Sequence, residues 1–122
     1  MTRKEILALY KKQFKRWSYM IEHYGWKLTV CYCDSIEDMP EEASEGCAGY
    51  TLMRFKYLDA TIYINLKVSE NQPEHEIEYV VIHELVHLLT SPMMESSEST
   101  PVEYTVTSIA RVLQGLRSEH GK

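Results

Sequence analysis

Two histidines and one glutamate interrupt the most apolar segment of the chain, YVVIHELVHLLT at residues 79–90. On an α-helix, residues four apart share a face, so His83 and His87 can direct their imidazoles at one metal ion. Glu84 lies about 100° further round the helix, where its carboxylate can reach a water molecule on that metal without being a ligand. This H-E-x-x-H arrangement predicts a zinc site at which Glu84 is the catalytic base of a hydrolytic reaction.

The residues around the motif predict that its helix is buried. Between Val80 and Leu89, every residue outside the motif is Val, Ile or Leu, and these positions surround most of the helix. Burying two imidazoles and a carboxylate without partners would carry a large desolvation cost, and one metal ion satisfies all three groups together. The alternative is a pair of hydrogen-bonded core histidines with Glu84 beside a cavity.

A catalytic zinc usually has three protein ligands and one open position, so the motif needs a third ligand. No aspartate follows Asp59, and the only later histidine is His120. The glutamates after the motif are Glu95, Glu98, Glu103 and Glu119.

Glu103 is the preferred third ligand because it lies in the first turn of the predicted last helix, which an antiparallel return would bring beside His87. Two of the other glutamates fall in a predicted loop, a poor place to fix a ligand, and one lies beyond the last helix. The competing interpretation is a capping box, in which Thr100 is the N-cap and Glu103 occupies position N3.

HELVH followed by a glutamate in the next helix resembles the gluzincin type of zinc metallopeptidase. Among these, the sequence is most similar to the small, single-domain bacterial and phage forms, with the ImmA/IrrE-like peptidases as broader relatives. ATIYIN (Ala60–Asn65) and VEYTVTSIARVL (Val102–Leu113) resemble the strand and the glutamate helix of such proteins. The similarity covers roughly Ala48 to Leu116.

The resemblance implies a zincin-like core in which His83, His87 and Glu103 bind Zn²⁺ and Glu84 is the general base. The expected reaction is hydrolysis of a peptide bond in a peptide or protein substrate by a zinc-activated water. We expect the substrate to lie extended along an edge strand, Ala60–Leu66, where backbone pairing holds it with little side-chain selection.

A second stabiliser of the oxyanion is also expected, and Tyr104 and Tyr63 are the candidates. The alternative function is a non-catalytic regulatory or binding protein with a structural or degenerate zinc site, closed by Cys47 or His120. A further alternative is an adaptor whose basic first helix binds an acidic partner, but that hypothesis leaves the buried motif unexplained.

Hydrophobic periodicity predicts the elements that position the motif. In order they are a helix, three strands and two helices: Thr2–Tyr24, Trp26–Cys33, Cys47–Phe55, Asp59–Leu66, Pro73–Thr90 and Pro101–Arg117. The second and third strands form a hairpin, and Ser91-Pro92 is expected to end the motif helix before a loop at residues 91–100. Three mainly antiparallel strands in a meander, with the helices on one side, make an α+β fold in one domain, residues 1–122.

Composition excludes several other classes of protein. The net charge of −5 over 122 residues argues against nucleic acid as the main partner. The absence of a long apolar run and of a targeting segment predicts a cytoplasmic protein without a membrane partner. Three cysteines do not form a disulfide framework. Cys31, Cys33 and Cys47 could form a metal site, but small buried residues are the better account of them.

Overall fold

The computed structural model describes the backbone of residues 1–23, 25–44, 46–54, 57–94 and 99–120. It describes the side chains in these ranges except those of residues 20, 23, 91–94, 99–105 and 118–120. Among the described residues, none of the helices combines the length and the apolar character needed to cross a membrane.

The N-terminal region forms two helices, α1 (Arg3–Trp17) and α2 (Tyr19–His23), rather than the single helix predicted from Thr2 to Tyr24. Helix α1 begins with a capping box between Thr2 and Glu5. It ends at Ser18, whose N–H donates to the carbonyl of Phe14 and whose own carbonyl starts the next turn. Periodicity did not reveal this break because the apolar spacing continues through it.

Three strands form one sheet: β1 (Lys27–Cys33), β2 (Gly49–Arg54) and β3 (Asp59–Asn65). Their order is β1-β3-β2, with β1 parallel and β2 antiparallel to β3. The predicted hairpin is confirmed, but the sheet is mixed, so the predictions of a meander and of mainly antiparallel pairing are wrong. After β1, the chain leaves the neighbouring position in the sheet empty and forms β2 one position further on. Strand β3 then fills the central position, and its residues Ile62 and Ile64 are buried.

The two faces of the sheet pack against different parts of the chain. Ala60, Ile62 and Ile64 of β3 join the main core, which the helices complete. On the other face, Tyr63 packs against a small cluster formed by Cys33, Met39 and Ala43. The fold is therefore α+β, as predicted, with its main core between the sheet and the helices.

The two long helices are α3 (Glu74–Met94) and α4 (Ser99–His120), and the hydrogen bonds between them show that they pack antiparallel. Helix α3 runs two residues past Pro92, so the prediction that Ser91-Pro92 ends it is wrong. A proline near a helix end removes one backbone hydrogen bond, a loss that this helix tolerates. Residues 91–94 and 99–100 of the predicted loop are helical, and residues 95–98 lie outside the described part of the chain. Because α4 begins before Thr100, this residue is inside the helix and not at its N-cap.

Candidate metal centre

His83, Glu84 and His87 converge on α3 as the motif predicts. Each offers a ligand atom, and these atoms all lie within 4.8 Å of one another. The two imidazoles meet edge to face, with ring centroids 5.0 Å apart. In the described part of the chain, this is the one group of at least three His, Cys, Asp or Glu residues with the spacing of a metal site.

The prediction that the motif helix is buried is confirmed, with one consequence for the histidines. Val81, Leu85 and Val86 are at most 2% exposed, and Glu84 is 5% exposed. His83 and His87 are half-buried and line a cleft of about 570 Å³. This position, at the wall of an open cleft, argues against the alternative in which both histidines are internal core residues.

Strand β2 holds the carboxylate of Glu84. The hydroxyl of Thr51 donates a hydrogen bond to Glu84 Oε1 at 2.7 Å. Gly49 leaves the space that the side chain occupies, because a Cβ at this position would lie 2.9 Å from Glu84 Cγ. A buried carboxylate packed directly on a strand backbone has a restricted orientation. Neither contact has a sequence signal, since both depend on how α3 lies across β2.

Tyr79 contacts the Nδ1 atom of His83. The hydroxyl of Tyr79, one helical turn earlier, lies 3.2 Å from this nitrogen. The same hydroxyl donates to Thr107 Oγ1 of α4 at 3.2 Å. Tyr79 was not among the residues predicted from sequence, although its i−4 spacing from His83 is a signal that could have identified it.

The cleft lies between α3 and the edge strand β2. Its lining consists of Glu42, Ser44, Cys47, Ala48, Gly49, Tyr50, Thr51, Tyr79, Val80, His83, Glu84 and His87. The strand expected to hold substrate, Ala60–Leu66, overlaps β3 (Asp59–Asn65), which is central and has both edges paired. That prediction is wrong, because the edge beside the motif belongs to β2.

The two tyrosines proposed for the oxyanion have different outcomes. Tyr63 packs on the far face of the sheet and is not part of the cleft lining, so the structure does not bring it to the motif. The side chain of Tyr104 lies outside the described residues, as does that of Glu103, although both positions belong to α4. Glu95 and Glu98 are outside the described chain, and the side chains of Glu119 and His120 are also not described.

The cysteines do not gather into a metal site in the described chain. Cys33 is buried in the small cluster behind the sheet, which confirms the interpretation of this residue as a small buried one. Cys47 lines the cleft, and burial raises the pKa of its thiol, with the charge of Glu84 adding to the effect.

The residues present suit a divalent transition metal. Two imidazole nitrogens and a nearby carboxylate, held at the wall of a cleft, are a donor set that binds zinc and chemically similar ions. The buried position of Glu84 agrees with this assignment, because a metal ion compensates a carboxylate charge that burial would otherwise disfavour.

Comparison with known proteins adds no further constraint. No protein-family model, curated protein or solved structure matches the chain. The group formed by His83, Glu84 and His87, which could hold a metal ion, therefore rests on the sequence motif and its geometry.

Proposed function

We propose that the chain is a zinc-dependent peptidase in which His83 and His87 bind the metal and Glu84 is the general base. The observation that carries the proposal is the convergence of these three residues at the wall of an open cleft, beside an edge strand. A fully enclosed site would hold a structural ion, whereas a cleft leaves room for water and substrate.

Glu84 performs the proton transfer in this proposal. A bound zinc ion would supply Lewis acidity, which lowers the pKa of a coordinated water to about 7 and polarises the scissile carbonyl. The Glu84 carboxylate takes the proton from the attacking water and delivers it to the leaving amine. Thr51 fixes one carboxylate oxygen and Gly49 allows the close approach of the strand, so the base is oriented before substrate binds.

The packing of α3 against α4 supports Glu103 as the third ligand. Tyr79 on α3 contacts Thr107 on α4, and the two helices run antiparallel. One turn along each helix from this contact leads to His83 on α3 and to Glu103 on α4. In an antiparallel pair of helices this spacing would bring position 103 level with His83, as a third ligand requires.

The edge of β2 supports an extended peptide as the substrate. Its residues Gly49, Tyr50 and Thr51 line the cleft, and among the strands that the structure describes, β2 pairs with β3 on one side only. A peptide that pairs with this edge lies across the motif and is held by backbone hydrogen bonds, with little dependence on its side chains. The substrate is therefore selected first by its ability to adopt an extended conformation.

One observation favours a second function, a regulatory protein with a structural zinc. Cys47 lines the same cleft as the motif, and a thiolate is a good zinc ligand. If Cys47 closes the coordination sphere, the position needed for water is filled, and the protein binds a partner without hydrolysing it.

The first experiment is zinc analysis of the purified, untagged protein beside its His83→Ala, Glu103→Ala and Cys47→Ser variants. The peptidase proposal predicts about one zinc per chain, lost in His83→Ala, greatly weakened in Glu103→Ala and retained in Cys47→Ser. Hydrolysis of a fluorogenic peptide library by the zinc-loaded protein, blocked by a chelator, completes the test.

The other outcomes distinguish the alternatives. Loss of zinc in Cys47→Ser, with no hydrolysis by the parent protein, supports the structural site. Retention of zinc in Glu103→Ala removes Glu103 from the ligand set. A parent protein that binds no zinc after reconstitution contradicts both functions.

A further inference from the structure

Tyr79 belongs to the same stripe of α3 as the two histidines, because residues four apart on a helix share a face. Its ring lies 5.5 Å from that of His83, centroid to centroid, with the planes inclined at 55°. Its hydroxyl is within hydrogen-bond distance of both His83 Nδ1 and Thr107 Oγ1. Tyr79 therefore connects the motif helix with α4.

The direction of the hydrogen bond from Tyr79 to Thr107 favours one tautomer of His83. A phenol has one proton, and Tyr79 donates it to Thr107. With that proton directed at Thr107, the phenolic oxygen is an acceptor, and its contact with His83 is a hydrogen bond when Nδ1 carries the proton of the neutral ring. The lone pair of that imidazole is left on Nε2, the form in which His83 can bind a metal through this atom.

Two further residues hold the tyrosine ring in place. The guanidinium of Arg111 lies over the ring, with its carbon 3.6 Å from the ring centroid. Arg111 in turn bonds Glu76 Oε1 at 3.2 Å, so the stacked cation is itself tied back to α3. A cation over an aromatic face is attracted to the ring and therefore favours one orientation of it.

We propose that Tyr79 is a positioning residue of the metal centre, which holds His83 in the tautomer and orientation that present Nε2 for metal binding. This proposal rests on the proposed function in one respect, that the group bound by Nε2 is a metal ion. Partners of this kind on a metal-bound histidine typically change metal affinity by about 10- to 100-fold when they are removed. Tyr79 acts on the metal through His83 and does not itself need to touch it.

The first test examines the metal-free protein, so that it does not depend on zinc binding. Nitrogen-15 NMR of the His83 ring at a pH of about 8, above the usual imidazole pKa of about 6.5, distinguishes an Nδ1–H from an Nε2–H tautomer. We expect Nδ1–H in the parent protein and a shift towards Nε2–H in Tyr79→Phe, which keeps the ring under Arg111 and removes the hydroxyl.

Two more variants sharpen this test. Thr107→Val removes the acceptor of the Tyr79 proton, which is then available to His83 Nδ1, so we expect it to shift the tautomer in the same direction. Tyr63→Phe is the matched control, because it makes the same chemical change on the far face of the sheet. It should leave the His83 tautomer as it is in the parent protein.

The second test measures the affinity for Zn²⁺ by competition with a chelator. We expect Tyr79→Phe to bind zinc about 10- to 100-fold more weakly than Tyr63→Phe. An Nε2–H tautomer in the parent protein, or a tautomer unchanged in both Tyr79→Phe and Thr107→Val, overturns the proposal. Equal zinc affinity in the two tyrosine variants also overturns it. If the parent protein binds no zinc, the proposed function fails, while the tautomer measurement still decides whether Tyr79 orients His83.

Discussion

Helix α3 buries two carboxylates, and their surroundings differ. Glu78 is 3% exposed and Glu84 is 5% exposed, so burial alone does not separate them. Glu78 accepts hydrogen bonds from Trp17 Nε1 at 3.0 Å, Gln114 Nε2 at 3.2 Å and Arg117 at 2.8 Å. Arg16 lies 3.6 Å away as a second cation. Glu78 therefore joins α3 to α1 and α4 in a neutralised network.

Glu84 lies among groups of another kind. Thr51 donates to one of its oxygens, the two imidazoles of the motif are adjacent, and a cleft adjoins it. The described residues that line this cleft include no lysine or arginine. A buried carboxylate supplied with fixed cations therefore stabilises the fold, whereas the one beside two imidazoles at a cleft belongs to a group that could hold a metal ion.

The pKa of Glu78 reflects its network. Burial by itself raises this pKa, but hydrogen bonds from Arg117, Trp17 and Gln114, together with the charge of Arg117, outweigh it and leave the pKa lowered. Because the pKa of Glu78 is lower in the folded state than in the unfolded state, the ionised carboxylate stabilises the fold at pH values above 4.5, its unfolded pKa. That contribution is lost as the pH falls through the folded pKa.

The largest difference between the two carboxylates should appear in catalysis. We expect Glu84→Gln to reduce kcat/KM by about 100- to 10,000-fold, because the amide cannot accept the proton. Zinc content and melting temperature should stay near those of the parent, since the amide oxygen can still accept from Thr51. Peptide hydrolysis and zinc analysis on the same preparations provide the measurement. Full activity in this variant would remove Glu84 from the mechanism.

The matching change at Glu78 should act on stability instead. Glu78→Gln leaves Arg117 and Arg16 without their counter-charge, and we expect it to lower the free energy of unfolding by about 2–4 kcal/mol. Urea unfolding at pH 7 measures this loss. Below about pH 4.5, where protonation of Glu78 begins to remove its contribution from the parent protein, the difference between variant and parent should shrink.

Glu74→Gln is the control for that experiment, because Glu74 is on the same helix but is exposed, and its ion pair among the described residues is with the exposed Lys12. Its charge also acts weakly on Arg117, so this control removes one negative charge from the same region without breaking the buried hydrogen bonds of Glu78. It should change the free energy of unfolding by no more than about 0.5 kcal/mol. A Glu78→Gln variant as stable as this control, or a difference from the parent independent of pH, would show that the network adds nothing to the fold.

The smallest expected effect concerns the fit between Glu84 and strand β2. A methyl group in Gly49→Ala would lie 2.9 Å from Glu84 Cγ, so the buried side chain must shift. We expect a loss of about 1–2 kcal/mol in stability, with reduced kcat and retained zinc. Gly115→Ala is the matched control, since nothing lies within 4 Å of its added Cβ. That variant should be slightly more stable than the parent, as alanine favours a helix. Equal stability and equal kcat in the two variants would refute the close approach of Gly49 to the side chain of Glu84.

Local sequence patterns predicted most elements and the motif. The spacing of His83, Glu84 and His87 on one helix is a local property, and the structure confirms their convergence. The order of the strands is not local, because it depends on where the chain after Cys33 crosses the sheet. The same limit explains why Gly49 and Thr51 were not found, since they meet Glu84 only after α3 packs on β2.

The strand order also gives the two pairings of β3 different entropic costs. The antiparallel pairing with β2 closes only the short stretch of sequence between Arg54 and Asp59. The parallel pairing with β1 aligns Lys27 with Asp59, and so closes a loop that contains all of β2 and the segment before it. Because loop-closure entropy grows with the length of chain enclosed, β1 loses more freedom on joining the sheet. The apolar residues that β1 adds to the main core, Leu28, Val30 and Tyr32, offset this larger loss.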